Sequence, residues 1–95
     1  MLVLFYDLAT DYLQRRGEFR YEHLDLARAA YQRGELAYAG AFAEPADRSM
    51  FVWVTDDRTP VERFVAADPY VANGLVVGWE IRPWNVAVPE PSSGS

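Results

Sequence analysis

The chain contains no cysteine and no lysine, and its one histidine is His23. Without cysteine there is no thiol nucleophile, no disulfide and no thiolate metal site. Without lysine there is no Schiff-base chemistry, and all nine basic residues are arginine. One imidazole cannot build a multi-histidine metal site within one chain, so no metal is expected. There is no glycine-rich phosphate loop, no dinucleotide fingerprint and no internal repeat, and no organic cofactor is expected. No apolar run approaches the roughly 18 residues that a membrane-spanning helix needs. The opening MLVLFYDLATD has no basic n-region and meets acids early, so it does not read as a signal peptide, and a cytoplasmic protein is the expectation. Basic patches are missing too. A net charge of −5 and an isoelectric point of about 4.7 argue against nucleic acid and anionic membranes as partners.

Apolar material is what the chain has in quantity. Hydrophobic residues make up 51% and aromatic residues 15% of its 95 positions. A single domain of this size buries only roughly 60–65% of its extended surface, so some apolar surface is left for another body to cover. MLVLFYDL (1–8), ELAYAGAF (35–42), SMFVWVTD (49–56) and LVVGWEIRPW (75–84) read as strands. TDYLQRRGEF reads as polar and turn-like. One helix runs from Arg20 to Gln32 and stops near Gly34. A second runs from Pro60 to Ala67, with Thr59 as its cap, Pro60 at its first position and Glu62 completing a capping box. The order β-α-β-β-α-β is the ferredoxin-like α+β plan, a four-stranded antiparallel sheet with two helices on one face. Residues 1–88 form the domain. The Pro- and Ser-rich 89–95 is expected to be disordered.

Two features stand out against this plan. Strands three and four alternate hydrophobes on both faces, with Met50 and Val52 opposite in parity to Phe51 and Trp53. A second subunit covering the free sheet face accounts for that, so a homodimer is expected. The second feature is polar. Leu24, Leu26, Ala27, Ala30 and Tyr31 share one arc of the first helix, and His23 and Arg20 lie inside it. Val61, Phe64 and Val65 set the stripe of the second helix, and in AADPY (66–70) the next stripe position is Asp68. A buried carboxylate needs a partner, because desolvating it alone costs several kcal/mol, and His23 and Arg20 are available. A plainer reading stays open at this point. A lone histidine on an apolar face can be a hydrogen-bonded core residue, Asp-Pro often begins a turn at a helix end, and Arg20 can reach solvent along its own stem.

The same residues form a recognisable set: R-x-x-H-L (Arg20, His23, Leu24), Ala39-Gly40, Ser49, D-P-Y-V-x-x-G-L (Asp68 to Leu75) and I-x-P-W (Ile81 to Trp84). With this strand order the chain resembles the YciI-like, or YCII-related, family over nearly its whole length, from the first strand to about Trp84. The resemblance implies a ferredoxin-like domain that pairs into a dimeric α/β barrel. It implies a cleft holding a His–Asp pair, which carries over to His23 and Asp68, and a serine near the start of strand three, which carries over to Ser49.

A carboxylate hydrogen-bonded to one imidazole nitrogen fixes the tautomer and makes the other nitrogen the better base. Arg20 is then placed to hold an anionic group of a substrate, and Tyr70 is among the aromatic residues available to wall a small ring. Three functions of different class fit. One is a cofactor-independent enzyme of lyase, isomerase or dehydrohalogenase type, with His23 and Asp68 catalytic and Arg20, Ser49 and Tyr70 binding a small, aromatic or anionic substrate. Relatives in the family include an enzyme that removes chloride from a hydroxylated aromatic ring. The second is a non-catalytic module that binds a small molecule, and the third a structural dimerisation domain.

Overall fold

The computed structural model describes residues 1–90. Strand β1 (Leu2–Leu8) leads through a short helix α1 (Tyr12–Arg15) and one 3-10 turn (Arg16–Glu18) into the long helix α2 (Arg20–Gln32). Strands β2 (Leu36–Ala41) and β3 (Arg48–Trp53) follow, then α3 (Arg58–Ala67), α4 (Pro69–Ala72) and β4 (Val76–Pro83). The sheet order is β2-β3-β1-β4, and every neighbouring pair is antiparallel. This is the ferredoxin-like α+β arrangement expected from the order of elements.

Alternation along β1 decides which face is core. Leu2, Leu4, Tyr6 and Leu8 point to one side, and the register sets Leu2 opposite Trp53, Leu4 opposite Phe51 and Tyr6 opposite Ser49. This face meets Ala27 and Ala30 of α2 and Val61, Phe64 and Val65 of α3 in one buried cluster. Each large apolar side chain fully buried there contributes about 1.5–3 kcal/mol. Gly34 closes α2 at φ +79°, a conformation that strains any residue with a Cβ, as expected of a glycine after a helix.

The opposite face carries Val3, Phe5, Met50 and Val52 together with a charged group. Arg48 reaches Asp7 at 2.8 Å and Glu80 at 3.3 Å, and its guanidinium lies 4.7 Å from the centre of the Phe5 ring. None of these four apolar residues belongs to the cluster packed under the helices; Val3 and Val52 are buried within the sheet face, while Phe5 and Met50 are half-buried.

Several local expectations change. The segment after β1 is a pair of short helical turns rather than an open polar loop, and Tyr12 within it is buried. Helix α3 is capped by Asp57, whose carboxylate accepts the Thr59 N–H at 2.9 Å, so the helix begins at Arg58 and the Thr59–Glu62 box is not formed. Strand β3 ends at Trp53, three residues early. In β4 a register shift opposite Asp7 and Leu8 breaks strict alternation, and Val76 and Ile81 are both buried. Tyr31 is exposed rather than packed in the arc of α2. The end of the tail expected to be disordered, 91–95, lies outside the described residues. No described helix is long and apolar enough to cross a membrane.

Candidate active site

Asp68 sits where the stripe of α3 calls for a hydrophobe because the helix stops there. Pro69 disfavours helical backbone at the residue before it, and Asp68 adopts φ −74° and ψ 120°. The side chain thereby leaves the α3 stripe and caps α4, accepting the Tyr70 N–H at 3.0 Å. The turn reading of Asp-Pro and the paired-acid reading both describe this residue, since the same carboxylate also meets His23. The imidazole Nδ1 lies 3.0 Å from Asp68 Oδ1 and 2.9 Å from Oδ2. A third donor comes from the sheet: the Tyr6 hydroxyl donates to Oδ2 at 2.8 Å.

Asp68 is fully buried, at 0% exposure, and His23 is 8% exposed. An isolated carboxylate at such a place would be costly, and three donors offset that cost. Since ionised Asp68 can only accept, the hydrogen on His23 is at Nδ1 when the ring is neutral. Nε2 then carries the free lone pair, and it makes no hydrogen bond among the described residues. Three aromatic rings fix the imidazole. Tyr70 stacks on it at 3.9 Å, while Phe51 and Phe64 stand edge-on at 6.0 and 6.2 Å.

Tyr6 is the residue that sequence reading missed as a polar partner. Its position shares the parity of Leu4 and Leu8, so its hydroxyl had to find an acceptor inside, and Asp68 was the unpaired acid available. Burial raises its pKa far above the ordinary tyrosine value, and the charge of Asp68 and the hydrogen bond to it add to the rise. Tyr6 is therefore a fixed donor and not a proton shuttle.

A cavity of about 280 Å³ opens between α1, the first two turns of α2 and the outer half of β2. Tyr12, Arg16, Arg20, His23, Phe51 and Tyr70 border it. The small residues Ala39 and Gly40 of β2 leave it room. Arg20 is exposed at its rim, and Tyr70 is buried in its wall with its ring edge-on to Tyr12 at 5.7 Å. Burial and the neighbouring Tyr12 push the Tyr70 hydroxyl up to about 12, partly opposed by Arg20 and Arg16. Ser49 is buried on β3 beside Tyr6 and does not border this cavity. The structure thus brings His23, Asp68, Arg20 and Tyr70 together and leaves Ser49 in the sheet behind them. A larger hollow, about 540 Å³, lies against Trp84 and Asn85, away from the His–Asp pair. Among the described residues no three His, Cys, Asp or Glu side chains are grouped to hold a metal ion.

Comparison with solved structures gives the same fold. The 5-chloro-2-hydroxyhydroquinone dehydrochlorinase TftG of Burkholderia phenoliruptrix, in complex with 2,5-dihydroxybenzoquinone, superposes with a TM-score of 0.71 at 20% identity, over 90% of this chain and 94% of that one. Protein Atu4242 of Agrobacterium tumefaciens gives 0.58 at 15% identity, over 95% of each chain. A NIPSNAP family protein of the same organism gives 0.57 at 13% identity, over 97% of this chain and 99% of that one. No curated protein sequence matches the chain. The family model of the YCII-related domain matches residues 1–85, nearly the whole described chain, and this protein belongs to that family.

Proposed function

We propose that the protein is a small-molecule enzyme in which His23 moves a proton and Asp68 holds and charges it. The observation that carries this reading is the pair itself. Asp68 binds Nδ1, and Nε2 is left without a protein partner on a ring that borders a cavity. Nε2 takes a proton from an acidic C–H or O–H of the substrate. The resulting imidazolium is stabilised by the Asp68 carboxylate, itself held in place by the Tyr6 hydroxyl and the Tyr70 N–H. The proton then returns to another atom of the substrate or to a leaving group. Lyase, isomerase and dehydrohalogenase reactions all share this step and need no redox partner. The dehydrochlorinase among the structural neighbours supports the class, by likeness of fold. In this reading Arg20 and Tyr70 contact the substrate, the enzyme works in the cytoplasm, and it is a homodimer whose second copy covers the sheet face of Val3, Phe5, Met50 and Val52.

One observation favours a structural role instead: Asp68 also caps α4. Paired variants separate the two. His23→Gln is expected to abolish turnover of an identified substrate while keeping its thermal stabilisation by that substrate. Asp68→Asn, near-isosteric but unable to stabilise an imidazolium, is expected to lower turnover by about 10²–10⁴-fold in a folded protein. Parent-rate turnover in either variant would end the catalytic reading.

A further inference from the structure

We infer that Tyr6 is a positioning residue that sets the proton affinity of His23: by donating to Asp68 it limits the pull of that carboxylate on the imidazole and keeps the Nε2 lone pair free. The inference rests on reading His23 as the base and assigns what regulates its charge. Tyr6 is fully buried on β1, and neither Tyr6 nor Asp68 borders the cavity. Tyr6 therefore touches no substrate, and its influence on the base passes through Asp68.

The load on the carboxylate carries the argument. Oδ1 accepts the Tyr70 N–H at 3.0 Å, and Oδ2 accepts the Tyr6 hydroxyl at 2.8 Å. His23 Nδ1 lies 3.0 Å from the first oxygen and 2.9 Å from the second. The imidazole N–H is thus shared between two oxygens and competes with a fixed donor at each. The Tyr70 N–H belongs to the backbone and caps α4, so Tyr6 is the donor that a side chain supplies. Nor is the hydroxyl free to leave. Tyr6 lies on a central strand, paired with Ser49 on β3 and Trp79 on β4, and its ring packs edge-on to Phe51 at 4.8 Å. Burial chiefly, then the charge of Asp68, hold its proton in place, so the donor persists wherever the fold does.

A carboxylate within hydrogen-bond distance favours the charged imidazole. An imidazolium carries a proton on both nitrogens and has no lone pair with which to accept one from a substrate. A buried Asp68 shared with nothing else would therefore tend to block the base it orients. A second donor on Oδ2 draws on the same charge and weakens that hold. The other groups around the ring do not vary with pH near neutrality. Arg16 and Arg20 border the cavity from the 3-10 turn and α2, Tyr12 and Tyr70 from α1 and α4, and Phe51 and Phe64 face the ring from β3 and α3. Guanidinium groups keep their charge, and phenols stay neutral there. Asp68 is the one carboxylate within hydrogen-bond reach of the ring among the described residues, so the number of donors it carries decides the outcome.

The test is a nitrogen-15 NMR titration of His23, the one histidine of the chain, in the whole protein without ligand. Tyr6→Phe is expected to bind the imidazolium proton about tenfold more tightly than the parent, so that the charged ring persists to higher pH. Replacing Tyr6 alone by 3-fluorotyrosine, which keeps the ring and makes the hydroxyl a stronger donor, is expected to move the titration the opposite way. That second protein decides the matter if Tyr6→Phe does not fold. Ile81→Val, a core change on β4 away from the site, is expected to lower stability and leave the titration where the parent has it. Opposite movements in the two Tyr6 proteins are a signature that lost packing does not produce. A Tyr6→Phe ring that titrates with the parent or at lower pH would overturn the inference. So would a fluorotyrosine protein that titrates with the parent or moves to higher pH. The titration is read without turnover, so its failure leaves the proton-transfer reading standing, and parent-rate turnover in Asp68→Asn leaves the effect of Tyr6 on the ring standing.

Discussion

The Tyr70 ring lies flat against the His23 imidazole, with centroids 3.9 Å apart and planes 9° from parallel. Tyr70 is two residues past Asp68, and its N–H donates to the Asp68 carboxylate. One short segment, Asp68-Pro69-Tyr70, therefore supplies the acid that binds Nδ1 and the ring that sets the imidazole plane. Pro69 fixes the break between α3 and α4 that lets both side chains turn toward α2. The site is built from a helix junction, not from a loop, and that keeps its geometry narrow.

Tyr6→Phe tests the third donor. The substitution removes the hydroxyl that binds Asp68 Oδ2 at 2.8 Å and leaves a buried carboxylate with less hydrogen bonding. The expected loss is about 1.5–3 kcal/mol of unfolding free energy, measured from urea midpoints at neutral pH. A variant as stable as the parent would show that Tyr6 is packing alone.

Alkaline pH should expose the same residue. Tyr6 keeps its proton in the folded state well above the ordinary value of 10.0, chiefly through burial. The unfolded chain releases that proton once pH passes about 10, so the unfolded state then binds fewer protons and gains. The contribution is complete below pH 10 and is lost as pH rises through the folded value. Urea midpoints are expected to be lower at about pH 11 than at about pH 8, with a smaller drop in Tyr6→Phe. Equal drops in the two proteins would contradict the assignment.

The sheet face opposite the helices tests the assembly. Val3, Phe5, Met50 and Val52 share it with the Arg48–Asp7–Glu80 group. Light scattering at micromolar concentration is expected to give twice the 10.8 kDa chain mass. Phe5→Asp, which puts a charge under the Arg48 guanidinium at the centre of that face, is expected to give monomers. A monomeric parent protein would remove the second subunit from the account.

The long elements were legible because periodicity reports burial. Helix α2 runs from Arg20 to Gln32 as its pattern predicts, and the strand order follows from four β-rich runs. His23 and Asp68 were legible for the same reason, as polar residues that break an apolar stripe. What was not legible depends on competition over one or two residues. Asp57 caps α3 in place of Thr59 because its carboxylate reaches the N–H two residues on. Helix α1 and the 3-10 turn after it are single turns, too short for any period, so Tyr12 and Arg16 could not be placed beside the cavity. The register shift in β4 reverses which residues share a face, and alternation cannot foresee it. Ser49 lies in the sheet because β3 begins at Arg48, which turns Ser49 toward Tyr6.

Nitrogen-15 NMR of the imidazole tests the central claim most directly. His23 is the one histidine of the chain, so its two ring nitrogens give an unambiguous signal. At a pH where the ring is neutral, a proton fixed on Nδ1 and a lone-pair signal from Nε2 are predicted, with the preference weakened in Asp68→Asn. A neutral ring protonated on Nε2, or one that averages freely between the two forms in the parent protein, would contradict the account, because no base would then face the cavity.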